Sequence, residues 1–370
     1  MKVLHVINSL ASGGAERLVS ALLPRFAARG DDISLYVIDG RNDVYSRELA
    51  AKGVKVTIAH NDGSNIYSPA RFFELRGFMS NESFDVVHSH LGPSFHWSAL
   101  AFLTLKARYA ESKLITTEHA VHNRRMKMPL LRSFERWLYS QHHMILCVSE
   151  GVAASLMDWL SIPSRRLLVV PNGIDLRKFS AAVNPDAGVL SWARGRTVIS
   201  MTARFIAEKD HETAIRALKR LPDRFVAVFI GDGPSRPSME ALAGDLGLVE
   251  RCYFAGTKDN VPELLAASDY YMQTSKTEGF GLGCLEAMAS GLPVVASATG
   301  GLRDLVQGAG LLFPPGDYGA CAKALLDLDE DKKLKDRILA AQARKAADYS
   351  IENCVAEYLR IYGEPAARKA

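Results

Sequence analysis

The stretch TEGFGLGCLEAMASGLPVVASATGG, residues 277–301, sets Glu278 and Glu286 eight positions apart with Gly279, Gly281 and Gly283 between them. Glycine costs backbone entropy and packs nothing, so three at alternate positions describe a loop that brings bare backbone close to a ligand. Its amides can bond hydroxyls at short range, and a carboxylate can accept from both hydroxyls of a vicinal diol such as a ribose. The chemistry on offer is the holding of a polyol. A second constellation, MTARFIAEKDH, puts Arg204 after a strand-like run and Lys209 five residues on. A guanidinium forks onto two oxygens and an ammonium adds a point charge, a pair suited to a diphosphate. The plainer reading of such a pair is two solvated side chains.

Other residues carry weaker signals. In SLASGGAERLV a strand ends, Gly13-Gly14 turns, and a helix begins whose free amides suit an anion; a tight turn without a ligand fits as well. His119 closes the strand-like run KLITTEH. His88 and His90 form an HxH pair that could hold a metal, but no third ligand is evident, and structural support is the expected role. DLDED, residues 327–331, has the composition of a solvated helix surface. No metal site is expected.

These residues need elements to place them. Runs such as KVLHVI, ISLYVI, VKVTIA, FDVVHSH, KLITTEH and MILCVS, then TVISMTAR, RFVAVFIGDG, YYMQTS and LPVVAS, are continuously apolar and separated by helical patterns such as 15–29 and 210–220. Continuous runs mark parallel strands buried on both faces, here in two series. The pattern lapses after VVPNGIDLRKFSAAVNPDAG, which predicts domains over 1–183 and 184–350, with 351–370 a C-terminal helix and a frayed tail, GEPAARKA. In open α/β sheets ligands bind beyond the carboxyl ends of the strands, where the candidates above fall. At 370 residues, 48% hydrophobic and 23% charged, the chain suits two globular domains. The first 183 residues carry 22 Lys and Arg against 16 Asp and Glu, the remainder 23 against 25, and nine of ten histidines lie in the first part. The two domains are therefore expected to meet different ligands, and a net charge of +4 calls for no nucleic acid. Five scattered cysteines without a CxxC pair, an N-terminus without a cleavage site, and a longest apolar stretch of only 97–105 predict a cytoplasmic protein with no membrane span.

Taken together, Glu278-x7-Glu286 within EGFGLGCLEAMASGLPVVAS, and GGAE, FDVVHSH, TTEH, CVSEGV, VVPNGID, ARFIAEKD, GDGP and FAG in that order, resemble the retaining glycosyltransferases of family 4 (GT4), known by their EX7E motif. The resemblance runs along nearly the whole chain. It implies the α/β GT-B fold, two Rossmann-like doubly wound domains facing across a cleft, with the last helix crossing back to the first. It implies that Gly13 and Gly14 approach the donor phosphates and that Arg204 and Lys209 clamp the diphosphate. Glu286 would bind the ribose, Glu278 with the backbone of Phe280, Gly281 and Leu282 the donor sugar, and Lys258 the base. His119 matches a family histidine near the anomeric centre. Where the family commonly has proline after GFGL, this chain has Gly283-Cys284, which predicts a less fixed loop.

The implied reaction moves a hexose or N-acetylhexosamine from a UDP- or GDP-sugar to an acceptor hydroxyl with retention, without cofactor or metal. Negative charge grows on the departing phosphate. At 4 Å and an effective dielectric near 20, each facing cation is worth about 4 kcal/mol before desolvation. The leaving phosphate can then take the acceptor's proton itself, with Glu278 as positioner. A GT-B sugar-nucleotide epimerase and a non-catalytic nucleotide-sugar sensor are the rival readings. For the acceptor, HNRRMKMPLLRSFERWLYSQHH, residues 122–143, carries Arg124, Arg125, Lys127, Arg132 and Arg136 with Leu131, Phe134, Trp137 and Leu138 at helical spacing. A core helix with a basic outer face is one expectation. The other is a surface that meets an anionic membrane at its inner face and a polyprenyl-diphosphate-linked acceptor.

Overall fold

The computed structural model describes residues 1–11, 13–60, 65–179 and 183–363. Residues 364–370 of the tail expected to fray lie outside these. The chain divides into two compact units, one of Met1–Gly173 with the chain from Ile351 on, the other Ile174–Ser350.

In the first unit β1 (Lys2–Ser9), α1 (Gly14–Ala28), β2 (Asp32–Asp39), α2 (Ser46–Ala51), β3 (Lys55–His60), α3 (Ala70–Asn81), β4 (Val86–His90), α4 (Gly92–Thr104), β5 (Lys113–Glu118), α5 (Arg132–Gln141), β6 (Met144–Cys147), α6 (Glu150–Leu160) and β7 (Leu167–Val169) alternate. Their strands form one parallel sheet in the order β3-β2-β1-β4-β5-β6-β7. In the second unit follow α7 (Ala187–Ala193), β8 (Thr197–Thr202), α8 (His211–Arg220), β9 (Phe225–Ile230), α9 (Arg236–Asp245), β10 (Cys252–Gly256), α10 (Val261–Ala266), β11 (Tyr270–Gln273), α11 (Leu282–Ala289), β12 (Val294–Ser297), α12 (Gly300–Val306), β13 (Leu311–Phe313), α13 (Tyr318–Glu330) and α14 (Lys332–Asp348). These strands form a second parallel sheet, β10-β9-β8-β11-β12-β13.

All six residues of β9 are buried, as a strand covered on both faces requires. In each sheet the strand order reverses once, between β1 and β4 and between β8 and β11. A reversal leaves a crevice at the carboxyl ends of the two strands, where the helices depart to opposite faces.

The last helix, α15 (Ile351–Gly363), belongs to the first unit. Its Ile351, Val355, Tyr358, Ile361 and Tyr362 share a core with Leu18, Leu22 and Phe26 of α1. The division falls at 173/174, ten residues before the expected 183/184. The Ile174 amide donates to the Tyr349 carbonyl at 3.0 Å, and Ile174 bridges Ser350, so the chain is already part of the second unit there. Asn172-Gly173, within the stretch read as the lapse, is the actual joint.

Candidate functional site

In the second unit the switch point collects most of the candidates. Arg204 follows β8 on a loop pinned to the end of β9: Ala203 and Phe205 donate their amides to Ile230 and Asp232. Only glycine allows this approach. A Cβ on Gly231 would lie 2.2 Å from the Ala203 carbonyl oxygen, and one on Gly233 2.4 Å from that of Phe205. Arg204 is exposed, and no described side chain pairs with it. Lys209, five residues on, bonds the Glu278 carboxylate through Nζ; both are largely enclosed, at 21% and 16% exposure. Thr274, just past β11, donates to the carbonyls of Lys209 and Asp210 at 3.2 and 2.8 Å, and the Lys276 amide to that of Glu208 at 2.8 Å. The loop bearing the cations and the loop bearing Glu278 are thus laced together.

Helix α11 begins at Leu282. Glu286 therefore sits in its second turn and is buried at 4% exposure. Attraction to the helix dipole, which fades within the first turn, does not account for it. Gly281, at φ 102°, caps the helix where a Cβ would meet Leu302 at 2.6 Å. The first amides of α11, from Leu282 on, have no acceptor within their own helix. Phe280 is buried, its ring packed against Tyr349, and Gly279 and Gly281 on either side of it are buried too. Lys258 is exposed in the turn after β10, two strands from β8, and is not brought to the group.

The Gly283-Cys284 departure does not loosen this loop. A Cβ on Gly283 would lie 2.3 Å from the Tyr271 hydroxyl and 3.0 Å from the Thr202 carbonyl oxygen, so close packing does here what proline would do by ring constraint. Burial, and then Glu278, push the Cys284 thiol well above its ordinary range, which keeps it protonated. Behind Glu278 runs a chain the sequence did not disclose. Tyr271 donates to Gln273 at 2.9 Å, Gln273 to Ser275 at 2.9 Å, and Ser275 to the Glu278 carboxylate at 3.3 Å. The Gly301 amide fixes the Glu278 carbonyl at 3.1 Å, and a Cβ on Gly301 would strike Gly279 at 2.2 Å. Their one signal was the polar run QTS, which begins on the last residue of β11.

At the first unit's switch point, α1 starts from Gly14, with Gly13 before it. The Glu16 carboxylate folds against Gly13, where a Cβ would lie 2.3 Å from Glu16 Oε2. That carboxylate occupies the helix start assigned to phosphate. His119 stands at the carboxyl end of β5, and burial lowers its pKa to about 4, so it is neutral at pH 7. His88 and His90 gain the third histidine that sequence did not show: His5, with nitrogens of all three within 4.8 Å of one another. Their rings stack at 5.2, 5.3 and 4.5 Å with interplanar angles of 26°, 10° and 17°. Lone pairs in parallel planes do not converge on one ion, and the nitrogens bond their neighbours instead.

The 122–143 segment departs from the core-helix expectation. Arg125 is buried, donating to Glu135 at 2.8 Å and Glu118 at 3.3 Å, so it adds no surface charge. Leu138 packs inward, but Met128, Leu130, Phe134 and Trp137 are exposed, Leu130 at 97%. Lys127, Arg132 and Arg136 are exposed among them. The side chain of Arg124 lies outside the described residues. DLDED closes α13, with Asp327 and Asp329 paired to Lys323 and Arg224.

Comparison with known proteins places these features in a family. The family described as "Glycosyltransferase Family 4" matches residues 12–178 and that described as "Glycosyl transferases group 1" matches residues 186–346. The 2-deoxystreptamine glucosyltransferase of Streptomyces kanamyceticus is 29% identical over 258 residues, 65% of this chain and 66% of that protein. The UDP-Gal:alpha-D-GlcNAc-diphosphoundecaprenol alpha-1,3-galactosyltransferase of Escherichia coli is 26% identical over 279 residues, 70% of each. Among solved structures, Anabaena HepE in complex with UDP-glucose superposes with a TM-score of 0.82 over 98% of this chain and 99% of its own, at 21% identity.

Proposed function

Because this chain belongs to the family 4 glycosyltransferases and has their GT-B fold of two Rossmann-like domains, we propose that it transfers a hexose or N-acetylhexosamine, with retention, from a UDP- or GDP-sugar held by its second unit. The observation that carries this is the Lys209–Glu278 pair at the reversal between β8 and β11, with an unengaged Arg204 on the same loop as Lys209. Glu278 holds the ammonium in place before any ligand arrives. A diphosphate takes the charge of Lys209 and Arg204, while Glu278 and the amides from Phe280 to Leu282 hold sugar hydroxyls. Glu286, enclosed in α11, takes the ribose.

As the C1–O bond breaks, its electron pair passes to the terminal phosphate oxygen, which the two cations stabilise. The acceptor oxygen bonds C1 from the same face, and its proton goes to that phosphate oxygen. The two cations meet the diphosphate charge, so the reaction as proposed needs no metal. The HepE complex with UDP-glucose supports a nucleotide-sugar donor here.

The acceptor we assign is lipid-linked, met at an anionic membrane on its inner face by the 122–143 surface. Exposed Leu130, Phe134 and Trp137 among Lys127, Arg132 and Arg136 suit the interfacial region. The diphosphoundecaprenol in the name of the Escherichia coli relative supports the same reading. No helix among the described residues is long and apolar enough to cross a membrane. A screen of UDP- and GDP-sugars for thermal stabilisation tests the donor assignment: a donor at 100 times its Kd adds about 2.7 kcal/mol. A flat response to every donor would sink it. Co-sedimentation with phosphatidylglycerol but not phosphatidylcholine vesicles is the expected membrane result.

A further inference from the structure

The loop that carries Arg204 and Lys209 is closed on itself by two rings. Phe205 follows Arg204 directly, His211 comes two residues after Lys209, and their rings stack with centroids 3.8 Å apart at an interplanar angle of 13°. No other ring pair among the described residues is as close. Phe205 is the fixed member. Its amide donates to the Asp232 carbonyl at 2.9 Å, its carbonyl accepts from the Ser235 amide at 3.1 Å, and its ring lies 6.4 Å from that of Phe229 in β9 and 6.0 Å from that of Phe254 in β10. His211 opens α8 at the other end of the loop and meets Phe229 as well, at 5.9 Å. The stack therefore ties the far end of residues 206–210 to the same sheet as the near end.

The backbone between the rings is strained and held from several sides. Asp210, between Lys209 and His211, has φ 50° and ψ 51°, a left-handed conformation that a residue with a Cβ adopts at a cost. Its carboxylate accepts from the Thr213 hydroxyl at 2.7 Å and pairs with Lys276 at 3.4 Å, and its carbonyl accepts from the Thr274 hydroxyl at 2.8 Å. Such a conformation persists only where its surroundings over-determine it. The His211 side chain adds no polar contact to this arrangement. It is 2% exposed, and neither ring nitrogen has a hydrogen-bond partner among the described residues. Burial, and then Lys209, lower its pKa to about 3, so at neutral pH it is uncharged and is not a third cation for a diphosphate. Polar atoms buried without partners cost stability, which leaves the flat face against Phe205 as the contribution of this residue.

We propose that His211 is a positioning residue for the two cations: stacked on Phe205, it sets where Lys209 stands relative to Arg204 before a donor binds. The plane of the ring does this, and its nitrogens do not. The consequence for turnover rests on the clamp proposed above; the closure of the loop does not.

Two replacements separate plane from polarity, His211→Leu, which keeps apolar bulk without a flat face, and His211→Phe, which restores the face without the nitrogens. In ligand-free protein, hydrogen exchange at the amides of residues 206–210 is expected to be about tenfold faster or more in His211→Leu and close to wild type in His211→Phe. Wild-type exchange in His211→Leu overturns the closure, and equal acceleration in both variants overturns the role of the ring plane. For donor turnover, assayed well below the Tm of each variant, His211→Leu is expected to lose about tenfold or more in kcat and His211→Phe to recover most of it. Full turnover in His211→Leu, or a loss in His211→Phe as large as in His211→Leu, overturns the proposal. In a Lys209→Ala background no second cation is left to place, so His211→Leu is expected to cost less than about threefold further. The same full loss in that background means that His211 does not act through Lys209. Wild-type turnover in Lys209→Ala would instead sink the clamp itself and leave the exchange result standing.

Discussion

The two sheets reverse strand order in the same way, yet their switch points are built from opposite electrostatics. The first encloses four histidines that burial keeps neutral; His5, His90 and His119 bond in series, His88 bonds Tyr362 and Thr117, and His119 Nδ1 is left without a partner. The second holds a lysine and a glutamate in contact, with an arginine beside them open to solvent. Topology supplies a crevice in both; the residues at the strand ends decide whether it holds charge or a neutral hydrogen-bonded array. In the reaction proposed, the fixed charge of the second would meet a charge that grows on the leaving phosphate, whereas the buried array of the first carries none.

The comparison breaks most visibly if the clamp is neutralised. Lys209→Ala is expected to lower kcat for donor turnover by about 10²- to 10³-fold, the loss typical of removing one group that stabilises developing charge. Lys209→Arg should recover part of it, and equal losses in the two variants would mean that charge is not what Lys209 supplies.

Acid sharpens the contrast from the other side. The folded pKa values of His5 and His119, about 3 and about 4, lie below the ordinary 6.5, so the unfolded chain binds protons that the folded one refuses. Stability is therefore complete above pH 6.5 and falls as pH drops toward 4. At pH 5 the loss is roughly 2 kcal/mol for each such histidine, seen as a falling Tm in calorimetric scans. His5→Phe should flatten that slope.

Smaller effects follow. Gly283→Ala drives a Cβ into the Tyr271 hydroxyl and the Thr202 carbonyl; it is expected to cost about 1–3 kcal/mol of stability and to raise the donor KM. Leu130→Ser, at a fully exposed position, should change stability by less than about 0.5 kcal/mol while weakening binding to anionic vesicles. Unchanged vesicle binding would remove this surface from the acceptor assignment.

Much of the second site was legible because its chemistry is local. Arg204 and Lys209 sit five residues apart and Glu278 and Glu286 eight, and the glycines between announce close backbone approach. The first site was not legible in this way. His5, His88, His90 and His119 come from β1, β4 and the end of β5, and Tyr358 and Tyr362 from a helix more than 230 residues beyond His119, so no window of sequence contains the array. His88 and His90 were read as structural supports for want of a third partner, which the β1–β4 pairing of His5 with His88 supplies. The 122–143 segment misled for a related reason. Its helical spacing was read as an inward face, but the buried Arg125–Glu118–Glu135 group takes that side and turns Phe134 and Trp137 outward. Charge at a core position is a tertiary fact that periodicity does not carry.

The place of α15 in the first unit also orders events during synthesis. Strands β1 to β7 leave the ribosome early, but Tyr358 and Tyr362 emerge only after the whole of residues 174–350. At about 5–20 residues per second, that interval lasts roughly ten to thirty seconds. Through it His88 waits without its tyrosine, and the newest part of the polypeptide completes the oldest part's histidine array.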